Sequence, residues 1–360
     1  MIGAIARGMN AGTPSRRAPT PRDGWVPRVV TLGGGHGQAA LLSALRQLKV
    51  TVSAVVSVAD DGGHSGQLRA LAQIPPPGDL RRCLTALASR KELAARFEHR
   101  APTLAGPARC DGNLVLAMAR ERLGSLQAAV DWAADLLDAE GRVLPVAESG
   151  GVLIVYDAEG RVLSGQSHIQ AVANAPLVAS VHGASSTNPE AVAAIHAADL
   201  LLVGPGSFFT STLAAVATDG IARACVESHG GCCFVANLVG EGDQTANWPL
   251  ERYVRILRDH LTIGSLGGEP CIEVLANHAS GFSSWTLEDG TPVYGSELAA
   301  PGAAVHDPVR VARALTHWFG FQPRSPGGPT ETPSSADELF DRELALAMAR
   351  FGSESHQTHG

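Results

Sequence analysis

A short apolar run, Arg28-Val29-Val30-Thr31-Leu32, opens directly onto Gly33-Gly34-Gly35-His36-Gly37, and a stretch with helical spacing, Ala39–Leu48, follows at once. A β-branched run bounded by glycines reads as a strand. Strand, glycine turn and helix in that order form a βα unit, and they also form an anion site. Glycine lets the main chain approach a phosphate closely, and the N–H groups of the first helical turn point at it. Gly33, Gly34, Gly35, His36 and Gly37 are therefore candidate ligand-binding residues. Gly35-x-Gly37-x-x-Ala40 matches the loose dinucleotide fingerprint, and the chain contains no Walker A sequence. The plainer alternative is a tight βα turn that holds no ligand.

The same alternation continues along the chain. Strands are expected at Val29–Leu32, Ala54–Val58, Val152–Tyr156, Val178–His182, Leu200–Val203, Cys233–Leu238 and Ile272–Leu275. Helices are expected at Ala39–Leu48, Leu80–Ala88, Asn113–Leu123, Leu126–Leu137, Glu190–Ala197, Thr212–Glu227, Leu250–Leu261 and Pro308–Phe319. Strands that are apolar throughout and separated by helices indicate an α/β fold with a mostly parallel sheet covered on both faces. Ligands of such sheets sit at the carboxyl ends of the strands. Gly141–Ile169, with its Asp157-Ala158-Glu159-Gly160 turn, reads as a small β-hairpin insertion. Residues 1–24 lack periodicity and read as a disordered extension, which leaves 25–321 as the nucleotide-binding body. Residues 322–360 begin with a proline-rich linker, Gln322–Ala336, and continue into a short helix over Asp337–Phe351, capped by Ser335 or Asp337 and either docked or loose.

Three further loops carry candidate chemistry. Asp60-Asp61-Gly62-Gly63-His64-Ser65-Gly66 follows the strand Val55-Val56-Ser57-Val58. Asp60 and Asp61 could hold Mg²⁺ beside a diphosphate, or Asp60 alone could bond a ribose hydroxyl; the plainer alternative is that Asp61 caps the next turn and Asp60 is solvated. His36 and His64 do not read as a zinc pair, because the surrounding donors are oxygen-rich. Asp79, after Pro75-Pro76-Pro77-Gly78, is either an N-cap or a ligand contact, and Arg81 or Arg82 could reach a phosphate. Gly204-Pro205-Gly206-Ser207-Phe208-Phe209-Thr210-Ser211 is a second strand–glycine–helix device. Gly204, Gly206, Ser207, Thr210 and Ser211 are its candidate ligand residues. Ser207 is assigned to binding, since no Gly-x-Ser-x-Gly surrounds it. One of Phe208 and Phe209 is expected in the core, and the other could lie under a base or sugar. Asn113 and Asn237 stand at element ends; Asn237 is expected at the ligand edge, while Asn113 could simply cap its helix. Asp307 reads as the cap of the helix from Pro308, and Arg310 as a further anion contact. No catalytic residue is assigned.

A formal charge of −7 argues against a general nucleic-acid binder. No apolar run is long enough to span a membrane, and no signal-peptide pattern is present, so a cytoplasmic location is expected. The six cysteines form no Cys-x-x-Cys pair and read as reduced core thiols. A homo-oligomer is left open.

Taken together and in order, Gly33–Gly37, Asp60–Gly66, Pro76–Asp79, Gly112-Asn113-Leu114, Gly204–Ser211 and Asn237-Leu238 resemble the motifs of the YvcK-like branch of the CofD/YvcK family, from about Arg28 to Phe319. The resemblance implies a Rossmann-like three-layer sandwich. It also implies a regulatory protein that binds UDP-sugars, notably UDP-N-acetylglucosamine, and bears on gluconeogenic growth, cell shape and cell-wall precursor supply through a protein partner not named by the sequence. The CofD branch instead transfers a phospholactyl group to a deazaflavin with Mg²⁺. His36 and Leu144-Pro145-Val146 look more like the YvcK branch. His64 and the run Glu241-Gly242-Asp243-Gln244-Thr245 depart from the family pattern. A UDP-sugar-binding regulator is therefore the leading expectation, a Mg²⁺-dependent phospholactate-type transferase the alternative. A nicotinamide oxidoreductase is disfavoured by the second glycine device.

Overall fold

The computed structural model describes residues 26–59, 74–102, 108–157, 160–164, 176–183, 186–240, 245, 248–325 and 334–351. The N-terminal extension lies outside them. In chain order the strands are β1 (Arg28–Gly33), β2 (Thr51–Val56), β3 (Arg100–Ala101), β4 (Arg109–Cys110), β5 (Arg142–Pro145), β6 (Val152–Asp157), β7 (Val162–Ser164), β8 (Pro176–His182), β9 (Leu200–Val203), β10 (Gly231–Val235), β11 (Ile272–Asn277), β12 (Ser283–Thr286) and β13 (Pro292–Ser296). The helices are α1 (Gly35–Leu45), α2 (Gly78–Leu87), α3 (Lys91–Glu98), α4 (Asp111–Leu123), α5 (Leu126–Leu137), α6 (Pro189–Ala197), α7 (Ala214–Val216), α8 (Ile221–Glu227), α9 (Leu250–Gly264), α10 (Pro308–Phe319) and α11 (Ser334–Phe351).

Eight strands form the main sheet in the order β12-β13-β11-β10-β9-β1-β2-β5, parallel except for the β12–β13 pair. β9 is Leu-Leu-Leu-Val with every residue buried, as a central strand covered on both faces requires. On one face α1 packs against both α2 and α10, with α5 beside α2; the other carries α6, α7, α8 and α9. From β1 the chain steps to β2 and β5 on one side, and from β9 to β10 and β11 on the other. The direction of winding therefore reverses between β1 and β9, which is where open α/β sheets leave a crevice.

The expected hairpin exists as β6 and β7, joined by β8 in a separate antiparallel sheet of order β7-β6-β8. Two expectations need correction. Arg142–Pro145 belongs to the main sheet, as the edge strand parallel to β2. Val178–His182 belongs to the small sheet, where it pairs with β6. The expected helix Thr212–Glu227 is broken. Phe208–Leu213 is wound as a π-helix running into α7, and Gly220 at φ +78° stands as N-cap of α8. A residue in that conformation interrupts a right-handed helix, and glycine adopts it without steric cost. α10 has the expected limits: Asp307 caps it by accepting from the N–H of Val309 (2.8 Å) and of Arg310 (3.1 Å), and Gly320 ends it at φ +71°.

The C-terminal helix is docked. Phe340 packs on Phe97 with ring centroids 4.9 Å apart and the rings tilted by 43°, and Ala347 and Phe351 pack with Ile74 and Leu114. The start of the expected linker is also pinned to the body, since the Lys49 N–H donates to the Gln322 carbonyl (2.7 Å) and the Arg324 N–H to that of Gln47 (2.8 Å).

Candidate functional site

The site forms at the crossover between β1 and β9. Their parallel register sets Leu32 opposite Val203, so the two glycine turns leave the sheet side by side. The Gly204 N–H donates to the Leu32 carbonyl at 2.8 Å. Contact between the turns is close enough to exclude side chains. A Cβ on Gly37 would lie 2.6 Å from the Pro205 carbonyl oxygen, and one on Gly206 would lie 2.9 Å from that of Gly34. α1 starts at Gly35, two residues before Gly37, with Gly34 as an N-cap that has no side-chain hydrogen bond. His36 and Gly37 thus occupy its first turn, whose N–H groups lack intrahelical partners.

Around the paired turns stand most of the predicted residues. Thr210 and Ser211 are buried in the π-wound turn after β9; Thr210 Oγ1 donates to Ser207 Oγ at 2.6 Å, and Ser211 packs against Gly34 and Gly206. Asn237, just past β10, donates its Nδ2 to the Gly206 carbonyl at 2.8 Å and so braces the second turn. Asp79 is not the N-cap of α2, because the helix begins at Gly78 after Pro77. Its carboxylate instead faces Gly34 and pairs with Arg82 at 2.6 Å. His36 lies within the field of this pair: burial lowers its pKa, with Arg82 pushing the same way and Asp79 opposing.

Other predicted residues have different roles. Asn113 is not a cap either; it lies inside the first turn of α4, and its Oδ1 accepts from Arg81 Nη1 at 3.0 Å. Arg81 is fully buried and also bridges to Glu98 at 3.1 Å, so it braces α2 against α3 and α4 and is not the phosphate-reaching arginine. Arg310 points to Glu297 at 2.7 Å in a half-exposed pair, and no described contact ties it to the turns. Phe208 and Phe209 are both core residues. Phe208 meets Tyr253 edge-on at 4.9 Å, and Phe209 meets Trp248 at 5.7 Å. Neither ring has a face open to solvent.

Asp60 and Asp61, the possible Mg²⁺ ligands, lie outside the described residues. Among the described residues, Asp79 is the carboxylate against the glycine turns, and its pairing with Arg82 makes it a poor metal ligand. No group of three or more His, Cys, Asp or Glu is arranged to hold a metal ion among the described residues.

Two polar residues near the turns were not foreseen. Gln38 is buried, and its Nε2 reaches Thr31 Oγ1 (2.9 Å) and the Val55 carbonyl (3.2 Å), tying α1 to β1 and β2. An amide inside an otherwise apolar helical stretch was the available signal. His306 is buried beside the Ala236 main chain, and burial pushes its pKa down to about 4.

Residues 29–290 match the family model of CofD, 2-phospho-L-lactate transferase. A Mycobacterium tuberculosis protein named "Putative gluconeogenesis factor" is 36% identical over 316 residues, covering 80% of this chain and 89% of its own. The gluconeogenesis factor of Bacillus subtilis is 33% identical over 246 residues, covering 67% and 77%. A crystal structure from Bacillus halodurans, of a member of the UPF0052 family, superposes with a TM-score of 0.73 at 25% identity, covering 81% of this chain and 99% of that one. The chain belongs to the CofD family, among the relatives that carry the gluconeogenesis-factor name. No helix among the described residues is long and apolar enough to cross a membrane.

Proposed function

We propose that this protein is a cytoplasmic regulator that binds a nucleoside diphosphate sugar of the UDP-N-acetylglucosamine type and passes its occupancy to a protein partner. Its setting is gluconeogenic growth, cell shape and cell-wall precursor supply. One observation carries the reading: two strand–glycine–helix turns abut at the reversal of the sheet, Gly37 against Pro205 and Gly206 against Gly34. A single phosphate needs one such turn, whereas two in contact suit a pyrophosphate. Ser207, Thr210 and Ser211 supply hydroxyls, and Arg82 supplies the cation beside the first turn. Asp60 would order the ribose or a magnesium ion. The relatives named for gluconeogenesis support the physiological setting.

Calorimetric titration with UDP-N-acetylglucosamine, GTP and NAD tests the reading. Tightest binding of the UDP-sugar is expected, and tightest binding of NAD would overturn it. The family model's description, a 2-phospho-L-lactate transferase, favours a second reading, for which we propose a Mg²⁺-dependent transfer of the phospholactyl group to a deazaflavin. Detection of that transfer product with the purified chain would move the protein to the enzyme branch.

A further inference from the structure

Far from the glycine turns, at the amino-terminal edge of β10 and β11, a cavity of about 300 Å³ is lined by Cys225, Cys232 and Cys271 together with Ser228, Glu269 and Glu273. The function proposed above uses none of these groups. Cys232 pairs in parallel register with Ile272, so Cys271 stands one residue ahead of that pair on the neighbouring strand. A strand spacing of about 4.8 Å and a rise of about 3.3 Å per residue put the Cα atoms of Cys232 and Cys271 about 5.8 Å apart. That separation falls within the ~4.4–6.8 Å that a disulfide spans. Cys271 precedes the first paired residue of β11, so the pleat does not force its side chain to the face opposite Cys232, and both thiols line the same cavity.

The two thiols differ in access. Cys271 is exposed, while Cys232 is buried. Burial, with Cys271 next in effect, pushes the Cys232 thiol up to about 12, so it stays protonated at neutral pH. An oxidant therefore meets Cys271 first. The arrangement has the parts of a two-step thiol site, an accessible sulfur backed by a sheltered one. It is not arranged as a metal centre.

We propose that Cys271 and Cys232 form a reversible disulfide by exchange with a small-molecule disulfide. The Cys271 thiolate attacks one sulfur of the small disulfide, a mixed disulfide forms, and one small thiolate leaves. Cys232 then gives up its proton and attacks the Cys271 sulfur as the thiolate, the mixed bond breaks, and the second small thiolate leaves and takes up that proton. The two protons of the protein thiols end on the two released small thiols. Two protein thiols are oxidised and one small disulfide is reduced. The resulting bond staples β10 to β11 at the end of the sheet opposite Asn237.

Incubation of the full chain with oxidised glutathione, followed by non-reducing peptide mapping by mass spectrometry, tests this. The expected product links the Cys271 peptide to the Cys232-Cys233 peptide, with loss of two hydrogens and reversal by dithiothreitol. It should persist in Cys233→Ser and vanish in Cys232→Ser and Cys271→Ser, with thermal melts confirming that each variant is folded. A glutathione adduct that stays on Cys271 would overturn the proposal, as would a cross-link running to Cys225 or surviving in Cys232→Ser. Phenylarsine oxide gives a check that involves no oxidation, because it bridges the pair only when both sulfurs are close. Protection of Cys271 from alkylation by the arsenical is expected in the wild type and in Cys233→Ser. Its absence there would also count against the proposal.

Discussion

The carboxylate of Asp79 occupies the space into which a side chain on Gly34 would grow: a Cβ there would lie 2.3 Å from Oδ2 and 3.2 Å from Cγ. Gly34 has extended backbone, φ 175°, so conformation alone would tolerate alanine. The obstacle is contact. Arg82 holds Asp79 in place at 2.6 Å, and Ser211 Cβ closes the other side at 3.3 Å. Gly34→Ala should therefore cost about 1–3 kcal/mol by overpacking. It should also lower UDP-sugar affinity by displacing the acid from the turn. Chemical denaturation and calorimetry read the two effects separately, and unchanged affinity would place the ligand elsewhere.

Gly37 makes a sharper test. Its added Cβ would meet main chain, the Pro205 carbonyl at 2.6 Å and the Gly206 nitrogen at 2.8 Å, neither of which can rotate away. Gly124 is the control, since a Cβ there meets nothing within 4 Å and only its φ of +76° resists substitution. Gly37→Ala should push the two turns apart and abolish binding at concentrations that saturate the wild type. Gly124→Ala should cost on the order of 1 kcal/mol of stability and leave binding unchanged. Equal binding by both variants would show that the junction of the turns is not the ligand site.

The neighbouring arginines, Arg81 and Arg82, separate scaffold from site. Arg81 has no exposed surface and serves the partly exposed Glu98 and the buried Asn113, so Arg81→Ala takes the Arg81 donor from the buried Asn113 amide oxygen. Leaving a buried acceptor without its donor costs roughly 1–3 kcal/mol. Arg82 is partly exposed beside Asp79 and His36, so Arg82→Ala should leave the thermal midpoint within a few degrees while weakening diphosphate binding. Melting curves and titrations on both variants check this. A large drop in melting temperature for Arg82→Ala would reverse the assignment.

How far the sequence shows this arrangement depends on the kind of residue. The glycine turns were legible because strand, turn and helix are contiguous, and their meeting at β1 and β9 follows from the rule that ligands sit where winding reverses. The partners of buried polar side chains were not legible. Nothing local to Asn113 announces that its amide belongs to Arg81, thirty-two residues earlier. Asp79 had the composition of a cap, and only the position of Pro77 at the helix start shifts it into the first turn. β12 and β13 escaped notice because they are short and carry polar residues, Ser283-Ser284 among them, while the short edge strand β5 reads as part of the hairpin insertion that follows it. The break at Gly220 was visible as a single glycine in a helical pattern, a signal too weak to divide Thr212–Glu227 by itself.

Three histidines contribute to the response to acid, beside the ion-paired Glu140 and Asp289, whose carboxyl pKa values are also lowered. Burial lowers the pKa of His36, His260 and His306, the last to about 4. His260 accepts from the Ala179 N–H on Nε2 (2.8 Å) and faces the Ile256 carbonyl through Nδ1 (2.7 Å), so a second proton would oppose N–H to N–H. The unfolded chain takes up protons near pH 6.5, the folded chain lower. Between those values the unfolded state binds more protons, so stability is full above about pH 6.5 and falls as the pH drops. For His306 the loss approaches on the order of 3 kcal/mol near pH 4. Urea midpoints at pH 7.5, 5.5 and 4.5 should decline, and His306→Gln should decline less steeply. Parallel slopes for the two proteins would remove His306 from the account.

The C-terminal helix lies beyond the family match, which ends at residue 290, yet it is held to the body by both charge and packing. Arg96 meets Asp337 at 2.9 Å and Asp341 more closely still, and Arg350 meets Glu121 at 3.4 Å, all partly exposed. Such pairs contribute about 0–1 kcal/mol each and weaken with salt. The apolar anchor is Phe340 on Phe97, and its deletion by Phe340→Ala should cost about 3–5 kcal/mol if the helix melts with the body. Glu343 is the exception among the charges. Its side chain is wholly buried, with Arg122 at 3.3 Å and Arg342 at 3.5 Å as its ion-pair partners. Arg122→Ala should therefore destabilise strongly. The double variant Arg122→Ala/Glu343→Met should recover most of the loss, because an apolar side chain of similar size needs no cation. Denaturation of the single and double variants decides it. A double variant no more stable than Arg122→Ala alone would show that the arginine acts by covering Trp132, over which its guanidinium lies at 5.6 Å, and not by neutralising Glu343.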